Sequence, residues 1–223
     1  MTATTAIGFV PAAPLLVPQV AGGSAYLDDE LRDACRDVAR RLTTSTHGAI
    51  TVVAPIAHGV SWPARATWGF EGFGVPRRPP DPRPRLPWPI GIGDWLLDDV
   101  GWSGARSYVG VTGDATSTGS TDLGEALLVV GDGSARRTER APGHLDDRAA
   151  SFDASIATAI RSGDLAALGG LDAMLAAELL CAGAPVWRWL AATVDAPAVS
   201  GSALLVDAAP YGVGYFVGWW RLE

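Results

Sequence analysis

Apolar and polar positions follow two different periods in the first quarter of the chain, and together they predict a strand, a helix and a second strand. Residues 6–10 and 49–54 are short apolar runs with the length of buried strands, and the first run ends at Pro11. Between the two runs, apolar residues recur every three to four positions over 24–42, behind a capping Ser24. This strand–helix–strand order predicts that the two strands are parallel.

Strand and helix patterns continue to alternate in the rest of the chain. Apolar runs predict further strands at residues 107–111, 125–130, 203–206 and 214–220. Helical spacing predicts helices at residues 94–100, 146–161, 172–182 and 185–194. The order predicts an α/β fold, with a single three-layer domain over 1–223 that has a mixed, partly parallel central sheet and flanking helices.

Two irregular segments interrupt this order. A Pro- and Arg-rich segment at 62–89 predicts a long covering loop, and residues 113–121 predict a turn rich in Gly, Ser and Thr. The sequence PYGVG before the last strand predicts a tight turn. We expect positive φ at Gly212 or Gly214 there, with Tyr211 packed inward or facing a cleft.

Charge and composition exclude several classes of function. The chain carries 17 basic and 24 acidic residues, a formal net charge of −7, which argues against a nucleic-acid-binding face. Every basic residue is Arg, so Schiff-base chemistry and phosphate binding through a Walker lysine are excluded. Two cysteines make neither a disulfide framework nor zinc-finger spacing. The apolar run at 6–20 has no basic start and holds three prolines, so we expect a cytoplasmic protein without a membrane partner.

Three histidines and scattered carboxylates allow a metal site of two His and one carboxylate. His58 follows the second predicted strand at its carboxyl end, where α/β proteins place their ligands, and His144 lies near the same rim. His47 precedes that strand, at the opposite end of the sheet, and is excluded. The alternative for His58 and His144 is a solvated loop histidine.

Two further segments carry groups able to bind or react. The sequence GDGSARR follows an apolar strand, and its glycines let the backbone approach a ligand closely. There Asp132 offers a carboxylate, and Arg136 with Arg137 forms a clamp for an anion, unless the segment is a tight turn with solvated arginines. Glu178 lies in an otherwise apolar helix one turn before Cys181, so it needs a partner or a cavity unless that position is exposed.

Four motifs together resemble one protein family. They are PAAPLLVP at 11–18, GDGSAR at 131–136 with APGHLD behind it, AAELL at 176–180, and APYGVGYF at 209–216. Through them the chain resembles, over essentially its whole length, a compact branch of the LigB-like proteins. These belong with the class III extradiol ring-cleavage dioxygenases and the related Memo-type proteins. The resemblance implies an α/β sheet holding Fe(II) near its strand ends through two His and one Glu, with another His as acid or base.

The resemblance carries specific roles over to this sequence. It implies that a metal site is built from His58, Glu178 and Cys181, the last in the place of a Memo-type Cys ligand. It implies catalytic roles for His144 and Asp132. It implies that the ligand-binding positions are Ala12, Ser134 and Arg136.

The chain departs from the family pattern where lone pairs are needed. Ala12 stands where the first His ligand is expected, Ala135 stands at the acid–base position, and His58 comes two residues late. We therefore expect a LigB-type protein of unknown substrate, with a degenerate metal site that does not support Fe(II) ring cleavage. It would bind a small molecule in a cleft at the strand carboxyl ends, lined by 11–14, 56–58 and 131–136.

The alternative is an active metal-dependent dioxygenase or hydrolase. It would act on a small aromatic or anionic substrate through His58, His144 and Glu178, with Fe(II) or another divalent metal as cofactor. The sequence leaves open whether the protein is an enzyme and whether it forms a homo-oligomer.

Overall fold

The computed structural model describes residues 4–22, 29–57, 60, 62–63, 65–76, 82–120, 122–194 and 198–223. The strands are β1 (Ala6–Val10), β2 (Ile50–Pro55), β3 (Arg106–Val111), β4 (Ser117–Gly119), β5 (Ala126–Val130), β6 (Val199–Ala208) and β7 (Tyr215–Leu222). The helices are α1 (Asp29–Ser45), α2 (Trp88–Asp99), α3 (Arg148–Ser162), α4 (Leu165–Gly169), α5 (Ala173–Glu178) and α6 (Ala184–Thr193). Short 3-10 turns occupy Pro14–Leu16 and Glu71–Phe73.

The strands of the described residues form one mixed sheet in the order β4-β3-β2-β5-β1-β7-β6. The four central strands, β3, β2, β5 and β1, are parallel, and β4, β7 and β6 are antiparallel to their neighbours. The predicted α/β fold with a mixed, partly parallel sheet is thereby confirmed. In the part of the chain that the structure describes, no helix has both the length and the apolar character that crossing a bilayer requires.

Helices cover both faces of this sheet, which gives three layers. In β5, Leu128 and Val130 pack into the cluster formed with α1 and α2. The intervening Leu127 and Val129 pack into the opposite cluster, formed with α3 and α6. Burial on both faces explains why the central strands are continuous apolar runs rather than alternating ones.

Buried polar groups fasten α2 to β3. Asp94 of α2 is only 3% exposed, and its Oδ1 accepts hydrogen bonds from Arg106 Nη1 at 2.6 Å and from the Tyr108 hydroxyl at 2.8 Å. Burial, followed by the charge of Asp94, raises the pKa of Tyr108 above its ordinary value. These bonds fix α2 relative to β3, while the apolar side chains of the helix pack on the central strands β2 and β5.

Several elements differ from the sequence-based expectation. Helix α2 begins at Trp88 rather than at 94, because its Pro lies in the first turn, where no intrahelical N–H is needed. The predicted turn at 113–121 contains β4, a short exposed edge strand without apolar alternation. The predicted helix 172–182 ends at Glu178, before Leu180 adopts a positive φ of 56°. Strand β6 extends well beyond 203–206 and shows two register irregularities against β7. The short helix α4 was not predicted from the sequence.

The start of the first predicted helix and parts of the Pro- and Arg-rich segment lie outside the described residues. Where it is described, that segment packs on α2. The Trp68 N–H donates to Asp94 at 3.2 Å and its indole Nε1 donates to Asp98 at 2.6 Å. Phe70 is buried against the core. That the segment covers a cleft stays a prediction.

The turn before β7 has the predicted backbone. Gly212 has a φ of 73°, as expected for one of the two glycines, and Tyr211 is 38% exposed. A Cβ on Gly212 would lie 2.5 Å from both Ala141 Cβ and Thr138 Oγ1. The glycine is therefore required both by its conformation and by the close approach of the 138–141 segment.

Replacing Gly212 with Val tests this constraint. We expect Gly212→Val to lower the free energy of unfolding by roughly 2–4 kcal/mol, because it adds backbone strain to a steric clash. Gly72→Val is the matched control, since a Cβ at this exposed position meets nothing within 4 Å. Urea denaturation of both variants measures the difference, and equal stabilities would contradict the assignment.

Candidate functional site

Several loops meet at the edge of the sheet where the parallel strands end. The loop after β5 begins with Gly131, whose N–H donates to Val10 O of β1 at 2.9 Å. Its next residues contact the turn before β7 and the connection between α5 and α6. Ligand sites of α/β proteins occur at this carboxyl edge, so the loop at 131–137 is where the described residues are best placed to form a site.

The carboxylate of Asp153, in α3, holds this loop in place. Its side chain is fully buried, and its two oxygens accept the Ser134 N–H and the Ser134 hydroxyl, each at 2.8 Å. Arg137 Nη1 forms an ion pair with Asp153 Oδ2 at 3.0 Å. Burial raises the pKa of Asp153, and the bonds from Ser134 and Arg137 act in the opposite direction.

Two glycines let the loop and the turn before β7 approach each other across Asp153. The Gly133 N–H donates to Gly214 O at 2.7 Å, and the Gly214 N–H donates to Ser134 O at 2.8 Å. A Cβ on Gly214 would lie 2.5 Å from Asp153 Oδ2, and one on Gly133 would lie 2.8 Å from Asp153 Oδ1. Larger residues at either position would push the buried carboxylate away from its partners.

Asp132 is the titratable group that this arrangement presents at the edge. Its Oδ1 accepts the Ala12 N–H at 2.7 Å, and its carbonyl oxygen accepts the Gly183 N–H at 2.8 Å and the Cys181 thiol at 3.4 Å. Burial raises the pKa of Asp132 to about 7, against the opposing effect of the Ala12 N–H. Both protonation states of Asp132 are therefore populated at neutral pH.

Tyr215 lies within electrostatic reach of Asp132 at the start of β7. Burial raises the pKa of its hydroxyl, and the negative charge of Asp132 raises it further. We call Ala12, Asp132, Cys181 and Tyr215 together the Asp132 rim. It combines a carboxyl group of near-neutral pKa with a neutral phenol, a pair suited to hydrogen bonding a polar ligand.

The ligand-binding residues expected beside Asp132 are used inside the protein. Ser134 is fully buried against Asp153. Arg136 donates from Nε to Gly143 O at 2.7 Å and from Nη1 to Glu178 O at 3.0 Å. These donors fasten neighbouring segments to the loop, so Arg136 is held by the protein rather than freely solvated, and its role in an anion clamp stays a prediction.

The residues expected to bind a metal are placed separately. Glu178 is on the surface, where its carboxylate pairs with Arg148 Nη1 at 2.7 Å. His144 is exposed in a loop, with a φ of 60°. Burial raises the pKa of the Cys181 thiol well above its ordinary value. His58 lies outside the described residues.

Of the expected ligands that the structure describes, Cys181 lies against the Asp132 carbonyl oxygen, whereas the Glu178 carboxylate pairs with Arg148 at the surface. The described residues include no group of three His, Cys, Asp or Glu side chains able to hold a metal ion. Glu178 is an exposed helix glutamate, which was the alternative to a carboxylate that lines a cavity. Its partner Arg148 is 30 residues away along the chain.

Sequence reasoning missed Asp153 and Tyr215. Asp153 is a polar position on the buried face of α3, next to Phe152 and one turn before Ala157. A carboxylate on an apolar helix face is the signal that could have identified it, since such a group needs internal partners. Nothing in the sequence separates Tyr215 from an ordinary core tyrosine.

Comparison of the chain with models of protein families and with curated proteins finds no match in either set.

The raised pKa of Asp132 makes a prediction about stability. The folded state keeps a proton between about pH 4 and pH 7 that the unfolded chain has already released, so the contribution of Asp132 to stability falls as pH rises through that window. Asp132→Asn removes the titration and keeps an acceptor for the Ala12 N–H. We expect the variant to gain stability relative to wild type from pH 4.5 to pH 7.5, by a few kcal/mol at most, since one pKa unit equals about 1.4 kcal/mol.

Urea denaturation at each pH measures this difference. The exposed Asp122 provides the control variant Asp122→Asn, which sets the baseline for removing one carboxylate. A difference between wild type and Asp132→Asn that is as independent of pH as the baseline would contradict the raised pKa.

Proposed function

We propose that this protein is a LigB-like protein that binds a small hydroxylated aromatic molecule at the Asp132 rim and does not carry out Fe(II)-dependent ring cleavage. One observation carries the proposal. At the position where the resemblance implies the first His ligand, Ala12 supplies a backbone N–H that is already bonded to Asp132 Oδ1 at 2.7 Å. The methyl side chain of alanine has no lone pair with which to replace a histidine ligand.

The donor chemistry of the other described residues supports the same reading. An Fe(II) oxygenase site uses three protein ligands on one face and leaves positions open for substrate and O₂. Glu178 is engaged by Arg148 at the surface, and Cys181 would have to lose a proton that its burial retains. The described residues therefore do not fit the Fe(II) group that the resemblance implies.

Asp132 and Tyr215 favour a hydroxylated ligand. The ionised carboxylate of Asp132 accepts a hydrogen bond from a ligand hydroxyl, and its protonated form donates one. Tyr215 is 7% exposed, and no described residue forms a hydrogen bond with its hydroxyl, so a ligand that reached this group would find its hydrogen-bonding capacity unused. A phenol or catechol presents both a donor and an acceptor on each oxygen and so matches this pair.

Metal content and oxygen consumption test the proposal directly. Protein purified without a His tag is analysed for iron, loaded anaerobically with Fe(II), and given protocatechuate and O₂. We expect less than stoichiometric iron and no uptake of O₂ above that of free Fe(II). Tightly held iron, with O₂ uptake lost in both His144→Ala and Glu178→Gln, would overturn the proposal in favour of an active dioxygenase.

Binding of protocatechuate to the metal-free protein tests the other half. We expect calorimetry to detect binding that Asp132→Ala weakens by about tenfold or more, the effect of losing one hydrogen bond to a charged group. Asp122→Ala is the matched surface control and should bind as wild type does. Equal affinities of the two variants would exclude the Asp132 rim as the binding site.

A further inference from the structure

A cavity of about 330 Å³ lies between α5 and α6, beside Cys181. One wall is a stripe of small and aliphatic residues: Ala173, Ala176, Ala177 and Leu180 follow each other at helical spacing along α5 and just beyond it. Leu180 is 51% exposed, so the lining includes a large apolar side chain that reaches the protein surface. The volume lies in the range of small-molecule sites.

The other wall is the amino-terminal half of α6, which carries the one charged side chain of the described lining, Arg188. Ala184, Pro185 and Arg188 lie on one face of this ten-residue helix. Among the described residues, none forms an ion pair or a hydrogen bond with the Arg188 guanidinium, and its buried Nε has no partner. Other partly buried arginines of the structure are paired, as Arg106 is with Asp94 and Arg137 with Asp153.

This unpaired cation has a physical consequence. A buried donor without an acceptor costs free energy, which an anion in the cavity would recover. The amino end of α6 also favours negative charge nearby, because the peptide dipoles of this ten-residue helix place their positive end there. The neighbouring Cys181 thiol stays protonated, since burial raises its pKa, so it adds no competing charge.

We propose that the α5–α6 cavity binds an alkyl monocarboxylate. The alkyl chain lies along the Ala and Leu wall, and the carboxylate pairs with Arg188. The walls offer methyl groups and no aromatic ring, which suits a flexible chain better than a planar ring. This cavity shares Cys181 with the Asp132 rim but is not lined by Asp132, and the proposal does not depend on the function proposed for the rim.

Titration calorimetry with octanoate, and with octanamide as its uncharged counterpart, tests the proposal. We expect wild-type protein to bind octanoate at least tenfold more tightly than octanamide, and Arg188→Gln to abolish that preference. Arg161→Gln removes an exposed arginine of α3 and is the matched control, which should keep the preference. Each methylene from hexanoate to octanoate should tighten binding by up to about fourfold.

A second variant tests the cavity itself. Ala177→Phe changes an exposed residue of the wall and fills the space, so it should prevent octanoate binding while its thermal unfolding stays cooperative. Asp132→Asn should leave octanoate affinity unchanged, which keeps this result distinguishable from the outcome at the Asp132 rim. Equal affinity for octanoate and octanamide, unchanged binding by Arg188→Gln, or no binding at millimolar octanoate would each overturn the proposal.

Discussion

One buried carboxylate, Asp153 in α3, determines the shape of the carboxyl edge of the sheet. It accepts two hydrogen bonds from Ser134 and forms an ion pair with Arg137. Gly214 lies so close to this carboxylate that position 214 has no room for a side chain. Water cannot take over these contacts because Asp153 is fully buried, and a buried charge that loses its partner typically costs 3–5 kcal/mol. The loop after β5 therefore has one favoured arrangement, and Asp132, two residues before Ser134, has a defined place at the edge.

The two binding regions differ in the interactions they offer, although both lie near this edge. The Asp132 rim presents polar groups whose charge depends on pH, with Asp132 near neutrality and Tyr215 protonated. The α5–α6 cavity presents methyl groups and a cation, Arg188, that has no protein partner. One sheet can support both because loops and helix ends vary without disturbing the buried parallel strands.

The sequence predicted what depends on local pattern and missed what depends on contacts between distant segments. The central strands were evident as apolar runs, and the glycine-flanked Asp132 was evident as a candidate. The polar strand β4 was hidden because its exposed residues show no alternation. That Glu178 pairs with Arg148, and that Ser134 is bonded to Asp153, depends on how α3 packs beneath the loop. Local periodicity contains no information about such pairings. The prediction for His58 stays a prediction, because this residue lies outside the described residues.

The edge strand β6 affects how readily copies of this protein can associate through their sheets. It is a ten-residue strand at one end of the sheet, so one side of its backbone would offer free N–H and C=O groups to another chain. Its pairing with β7 shifts register between Val199 and Gly201 and again between Leu204 and Val206. Such bulges increase the local twist, and a twisted edge makes a poor template for continuous β-sheet growth. The irregular strand thus protects the protein from fibre-like aggregation along the edge where it would otherwise be most vulnerable.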